Sequence, residues 1–299
     1  MNYLEVFNNL NISECNIKTN ECMSKHTTFK IGGPADLFLE ISSVESLKTV
    51  LNVLKTNKIQ FFIIGNGSNL LVDDTGYRGA ILNLKGEFEQ VLVKDNTITC
   101  GSGAKLSRVC CCALSASLTG LEFAYGIPGS LGGAIFMNAG AYGNELKDIV
   151  QNVTCMDSNG NIHKFSNEEC KFDYRKSIFS ENKFIIINSE LKLSPGKYED
   201  IKLKMNDLIS RRKTKQPLEY PSAGSFFKSP PGYHASALID QCGLRGFRIG
   251  DAAISSKHAG FVINLGKASS SDVKKLQLEV ISQVAAKTNI RLTPEVLPL

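Results

Sequence analysis

Between Gly126 and Gly143 the chain reads GIPGSLGGAIFMNAGAYG, in which six of eighteen residues are glycine and none is charged. A flexible linker would be rich in Ser, Lys or Glu. Glycine mixed with Ile, Phe and Met instead marks backbone packed closely against something flat or bulky. Two readings fit: a glycine-rich crossing of the core, or a loop lining a large cofactor. A second stretch, IIGNGSNLL (63–71), follows the strand-like FFII. Its Gly65 and Gly67 relieve steric limits, so backbone N–H groups can turn toward a phosphate. Asn66, Ser68 and Asn69 add side-chain hydrogen bonds, although a simple tight turn would look the same. Taken together, the two stretches suit a large diphosphate-bearing cofactor. A Gly-x-Gly-x-x-Gly dinucleotide motif is excluded because Leu70 stands where the third glycine belongs. A phosphate loop is excluded too. In GFVINLGKA the spacing to Lys267 is one residue too long, and Ala268 replaces the required Ser or Thr.

At 299 residues the chain is long enough for two or three domains. A net charge of +5 suits a small anionic substrate and falls short of the dense basic face of a nucleic-acid binder. The one basic cluster, Arg211 to Lys215, reads as a solvated helix end. Nine cysteines, three of them consecutive (Cys110, Cys111, Cys112) and none in Cys-x-x-Cys, form neither a disulfide framework nor a metal site. Free, mostly buried thiols in a reducing cytoplasm are expected. The first residues lack a basic region followed by a long apolar core, and no run is long enough to span a membrane.

Along the chain, residues 1–24 read as an amphipathic start with Leu4, Val6, Phe7 and Leu10 apolar. HTTFKIGGPADLFLEI predicts a strand, a turn and a second strand. The helical spacing of Val44, Leu47, Val50, Leu51 and Leu54 predicts a helix capped by Ser43. With FFII it makes a β-α-β unit ending at Ile64. Strand pairs with Asp/Asn/Gly turns are expected in QVLVKDNTITCGSG and VTCMDSNGNIHKF, with a helix between them from about Lys105 to Leu118. FIIINSELKLSPG is a further strand, and 199–215 a helix leading into the last segment. There, ASALIDQCGL and SSSDVKKLQLEVISQVAAKTNI read as helices, ISSKHAGFVINLG as a turn and strand, and RLTPEVLPL as a final strand.

Three polar residues stand in unusual surroundings: Arg175 in FDYRKSIF, Ser225 in PSAGSFFKSP and Glu295 in LTPEV. Each has a plain alternative, as a surface arginine, a turn serine or a strand-end charge. The segments HTTFKIGGPADLF, GNGSNLLV, GIPGSLGGAIFMNAGAYG, YRKSIF, PSAGSFFKSP, KHAGFVIN and LTPEV resemble, in order and over nearly the whole chain, the bacterial UDP-N-acetylenolpyruvoylglucosamine reductases, the MurB family.

The resemblance implies an α+β protein with an FAD-binding fold of the vanillyl-alcohol-oxidase (PCMH) type. Its two subdomains would be 1–80 and 81–198 (an FAD-binding region of about 30–195), followed by a C-terminal α+β substrate-binding domain, 199–299. It implies non-covalent FAD held by Ile64, Gly65, Asn66, Gly67, Ser68, Asn69 and Leu70, and by Gly126, Gly129, Gly133, Gly140 and Ala141. Arg175, Ser225 and Glu295 match the family's catalytic residues, while Lys215 and Lys228 are expected to contact the substrate diphosphate and Tyr174 the substrate or the nicotinamide. The implied reaction carries hydride from NADPH to FAD to the enolpyruvyl group of UDP-N-acetylglucosamine enolpyruvate, with protonation by Ser225. A cytoplasmic monomer, without metal, nucleic acid or membrane insertion, is expected. Only about fifty residues separate Arg175 from Ser225. That is too few for the inserted tyrosine-bearing loop of one family class, so the chain resembles the class lacking it. An oxidase of the same fold is the alternative.

Overall fold

The computed structural model describes Phe7 and Ile12–Leu299. Of the apolar residues expected to mark the start of the chain, Leu4, Val6 and Leu10 lie outside the described residues, and Phe7 is buried. The chain forms two compact units. The first comprises Met1–Thr19, Leu37–Asn66 and Gly79–Ser210; the second comprises Asn20–Asp36, Gly67–Arg78 and Arg211–Leu299.

A four-stranded sheet, most of whose residues belong to the first unit, has the order Cys15–Cys22, Pro34–Ile41, Tyr77–Leu84, Phe61–Ile64. Helix Val44–Thr56 forms where the apolar spacing predicts it, and Ser43 accepts a hydrogen bond from the Ser46 N–H at its start. Its inner face buries Leu47, Val50, Leu51 and Leu54 against Leu37, Leu39, Ala80 and Leu82 of the sheet. The two strands flanking this helix are not neighbours, because Tyr77–Leu84 lies between them and pairs in parallel with Phe61–Ile64.

A five-stranded antiparallel sheet completes the unit, in the order Ile162–Ser166, Val150–Met156, Ile185–Lys192, Thr97–Gly101, Val91–Lys94. Both expected hairpins are present, with Lys94 opposite Thr97 and Met156 opposite Ile162. Helix Leu106–Ser115 packs Leu106, Val109, Cys110 and Ala113 into the core beneath. All nine cysteines are free, and five are buried. Burial pushes the Cys155 and Cys170 thiols up to about 12, so neither supplies a thiolate at neutral pH.

Helix Tyr198–Lys215 carries the chain from the first unit into the second, and its last turn holds Arg212, Lys213 and Lys215. The second unit is built on an antiparallel sheet with the order Ser222–Ser225, Phe261–Asn264, Ala252–Ile254, Arg248–Ile249. Helix Ser270–Thr288 starts with a reciprocal cap between Ser269 and Asp272. It buries Val273, Leu276, Val280 and Val284 in a core shared with helix Ala235–Gln241.

Two expectations need correction. The segment from His26 to Gly33 is not a strand. Its backbone bonds locally and to a neighbouring loop, with Lys30 N–H donating to Thr27 and Thr28 N–H to Gly67, while Phe29 and Ile31 are buried in the core. Left-handed φ at Lys30 (59°) is incompatible with an extended ladder. The C-terminal RLTPEVLPL forms only the short strand Leu297–Pro298, parallel to Leu70–Leu71, and an isolated bridge between Pro294 and Phe227. Pro294 and Pro298 have no N–H, so no continuous ladder can run through them.

Candidate active site

The two glycine-rich stretches meet inside the first unit. Asn66 Nδ2 donates to the Pro128 carbonyl at 3.1 Å. A Cβ on Gly65 would lie 2.2 Å from Ser130 Oγ, so this approach requires glycine. From below, Asn83 Nδ2 donates to the carbonyls of Ile64 (2.9 Å) and Gly65 (3.4 Å) and holds the turn. The Gly126–Gly143 run is not a simple loop. Ser130 caps a short helix, Leu131–Phe136, by accepting from Gly133 N–H at 3.3 Å. A Cβ on Gly132 would come within 2.8 Å of Ser102 Cβ, which is why small residues sit here.

Gly65 and Gly133 are both exposed and flank Ser130, so the glycine backbone around the Ser130 cap forms an open cradle. Around it, Gly129 accepts from Leu106 N–H, Ile64 is buried in its strand, and Gly126 is half-buried. The remaining residues of the first loop belong to the second unit. Gly67 (φ 60°) passes close under the His26 carbonyl, where a Cβ would lie 2.1 Å away. Asn69 Nδ2 donates to the Glu295 carbonyl at 3.2 Å, Leu70 is buried, and Ser68 is half-buried.

Arg175 sits at the tip of a two-residue turn closed by reciprocal backbone hydrogen bonds between Asp173 and Lys176, at 3.0 and 3.1 Å. Its φ is +54°, a left-handed conformation costing a non-glycine residue roughly 1–2 kcal/mol. The turn is held by Asp173 Oδ1, which accepts from Tyr174 N–H at 2.7 Å, and by buried Asn138, whose Nδ2 donates to the Asp173 carbonyl at 3.0 Å. The guanidinium donates from Nη2 to the Gly140 carbonyl at 3.2 Å and lies 4.9 Å from the centre of the Tyr174 ring. Its Nη1 is 3.7 Å from Glu145 Oε1. Ala141 pairs with Asn144 in the small hairpin carrying Gly140 and Glu145.

Ser225 and Glu295 lie together in the second unit. Gly224 (φ 78°) interrupts the register of strand Ser222–Ser225 against Phe261–Asn264, and such a bulge re-aims the side chain that follows. Ser225 is exposed, while its neighbours Phe226 and Phe227 are buried edge to face, with centroids 5.2 Å apart. Glu295 N–H donates to the Phe226 carbonyl at 2.8 Å, and Lys228 N–H donates to the Thr293 carbonyl at 2.9 Å. These bonds place Glu295 one residue from Ser225 across the backbone. Lys215 is exposed at its helix end, and Tyr174 is exposed on the first unit. Sequence reasoning missed Asn138, Ser130 and Glu145. The available signal was the acid in AYGNEL, which ends the uncharged glycine run. Among the described residues no group of three or more His, Cys, Asp or Glu side chains could hold a metal, and no helix is long and apolar enough to cross a membrane.

Residues 35–166 match a family described as an FAD binding domain. Residues 216–299 match the C-terminal domain of UDP-N-acetylenolpyruvoylglucosamine reductase. The chain is 48% identical over 298 residues to the UDP-N-acetylenolpyruvoylglucosamine reductase of Clostridioides difficile (strain 630), covering 99% of this chain and 98% of that protein. It is 48% identical over 280 residues to the same enzyme of Clostridium novyi (strain NT), covering 94% and 91%. The crystal structure of the Thermus caldophilus enzyme, MurB, matches with a TM-score of 0.80 at 35% identity, over 95% of this chain and 98% of that one. The chain therefore belongs to the UDP-N-acetylenolpyruvoylglucosamine reductase family.

Proposed function

We propose that the protein is an NADPH- and FAD-dependent reductase converting UDP-N-acetylglucosamine enolpyruvate to UDP-N-acetylmuramate for peptidoglycan synthesis. The observation that carries this reading is the cradle formed where Gly65 and Asn66 abut Pro128, Ser130 and Gly133. It lies inside the segment matching an FAD binding domain, and its exposed glycine backbone suits an anionic diphosphate. A bound flavin would supply hydride transfer, relaying the two electrons of NADPH to the carbon–carbon double bond of the substrate. Gly65, Asn66 and the Gly126 to Ala141 run would hold it. A cytoplasmic location belongs to the same proposal, supported by the nine free thiols, and a monomeric state is part of it.

Reduction of the double bond leaves negative charge on the carbon beside the substrate carboxylate. Arg175 offers a planar fork that pairs with that carboxylate and spreads the charge. Ser225 supplies the proton. A hydroxyl is a weak acid toward ordinary leaving groups, but toward a carbanion-like centre the mismatch narrows. Glu295, fixed beside Ser225 through the Phe226 carbonyl, polarises the carboxylate or orients a water. Tyr174, Lys215 and Lys228 contact the nucleotide substrate, and 199–299 acts as the substrate-binding domain.

The test is an anaerobic visible spectrum. NADPH bleaches the bound flavin, and the enolpyruvyl sugar nucleotide restores its colour. Bleaching without recovery means that the acceptor is a different compound, and rapid recovery in air with no response to the enolpyruvyl sugar nucleotide points to an oxidase; either result overturns the reading. The cradle has its own check. Gly65→Ala places a methyl group against Ser130 Oγ, and apoprotein titrated with FAD is expected to bind at least about tenfold more weakly, a loss of about 1.4 kcal/mol. Unchanged affinity would remove Gly65 from the cofactor site.

A further inference from the structure

We propose that Glu145 is a positioning residue for Arg175, and that Lys147 tempers its hold. This inference rests on the catalytic role proposed for Arg175. The Glu145 carboxylate is divided between two tasks. Oε2 accepts from Lys147 Nζ at 2.8 Å and from buried Asn138 Nδ2 at 3.0 Å. Oε1 faces the Arg175 guanidinium at 3.7 Å, beyond hydrogen-bond distance. A carboxylate bonded to both arms of the guanidinium would be a strong bidentate partner and would compete with the carboxylate of the substrate. At 3.7 Å, with its charge shared with Lys147, Glu145 orients Arg175 without capturing it.

The surrounding backbone is built for this arrangement. Glu145 stands opposite Gly140 in the hairpin, and a Cβ on Gly140 would lie 2.7 Å from Glu145 Cγ. Glycine at 140 therefore lets the side chain of Glu145 cross it, while the carbonyl of the same Gly140 accepts from Arg175 Nη2. Asn138 links both ends, bonding Glu145 and the carbonyl of Asp173 in the Arg175 turn. Asn138, itself at φ 44°, accepts the Lys147 N–H through Oδ1 at 3.0 Å, so its amide is engaged on both sides.

The experiment measures the two half-reactions of the holoenzyme anaerobically for the wild type, Glu145→Gln and Lys147→Met. Glu145→Gln is expected to slow flavin reoxidation by the enolpyruvyl substrate about tenfold, with bleaching by NADPH unchanged, because misorientation of a reacting group costs rate at that step alone. In an Arg175→Ala background, Glu145→Gln should add nothing. Lys147→Met changes an exposed side chain and leaves Glu145 free to pair more tightly with Arg175. It is expected to raise the KM for the enolpyruvyl substrate about threefold, because Arg175 then pairs less readily with the substrate carboxylate. It decides the matter if Glu145→Gln fails to retain flavin. Normal reoxidation in Glu145→Gln, equal slowing of both half-reactions, the same slowing without Arg175, or an unchanged KM in Lys147→Met would overturn the proposal. A wild-type enzyme that the enolpyruvyl compound fails to reoxidise would instead refute the underlying function, and the role of Glu145 with it.

Discussion

Ser225→Ala is expected to retain flavin bleaching by NADPH at the wild-type rate while flavin reoxidation by the enolpyruvyl substrate falls by about 10³-fold, within the range for loss of a general acid. The substitution deletes one exposed hydroxyl and leaves its setting intact. Phe226 N–H still donates to the Gly260 carbonyl, Glu295 N–H still donates to the Phe226 carbonyl, and the Phe226–Phe227 pair stays buried. Stability should therefore change by no more than about 0.5 kcal/mol. The contrast between the two half-reactions, followed by stopped-flow absorbance, is the informative quantity. Loss of the NADPH half-reaction would mean that Ser225 shapes the flavin site and donates no proton.

Arg175→Lys should lower turnover with the enolpyruvyl substrate by about 100-fold although the positive charge is kept. Three geometric features are lost together. The planar fork pairs a carboxylate through two bonds, whereas an ammonium is a point charge. The stack on Tyr174 at 4.9 Å and the donation from Nη2 to Gly140 both depend on the guanidinium. The strained turn itself should persist, because lysine meets the same left-handed penalty and the Asp173–Lys176 hydrogen bonds are backbone. Steady-state kinetics and a melting curve separate these effects. Near-normal turnover would remove Arg175 from the catalytic set, and a collapsed melting temperature would assign it a structural role.

Much of the local structure was legible because it depends on neighbours in sequence. The period of Val44 to Leu54 with its Ser43 cap, the capped helix Ser270–Thr288 and the hairpins at Asp95 and Asp157 all follow from short-range patterns. HTTFKI misled for the opposite reason. Its alternation suits a strand, but among the described residues no ladder partner reaches it, and Phe29 and Ile31 are buried as loop anchors. The helix Leu131–Phe136 stayed hidden because Gly132 and Gly133 are poor helix formers. Gly132 is needed because Ser102 crowds its backbone, and that crowding comes from a distant part of the chain.

Residue chemistry and motif order were set by the sequence alone. They include an uncharged glycine run, a GNGSN turn, and an arginine, a serine and a glutamate in separate motifs. Side-chain identity and short-range periodicity suffice for such features. Only the tertiary structure placed Gly65 against Ser130, brought Glu295 beside Ser225 through the Phe226 carbonyl, and set Glu145 over Gly140 to face Arg175. The first and second of these pairings join residues 65 and 70 positions apart, and the third depends on strained turns at Asn138 and Arg175. Long-range contacts form only when the cores around them are packed, so no local window of sequence contains them.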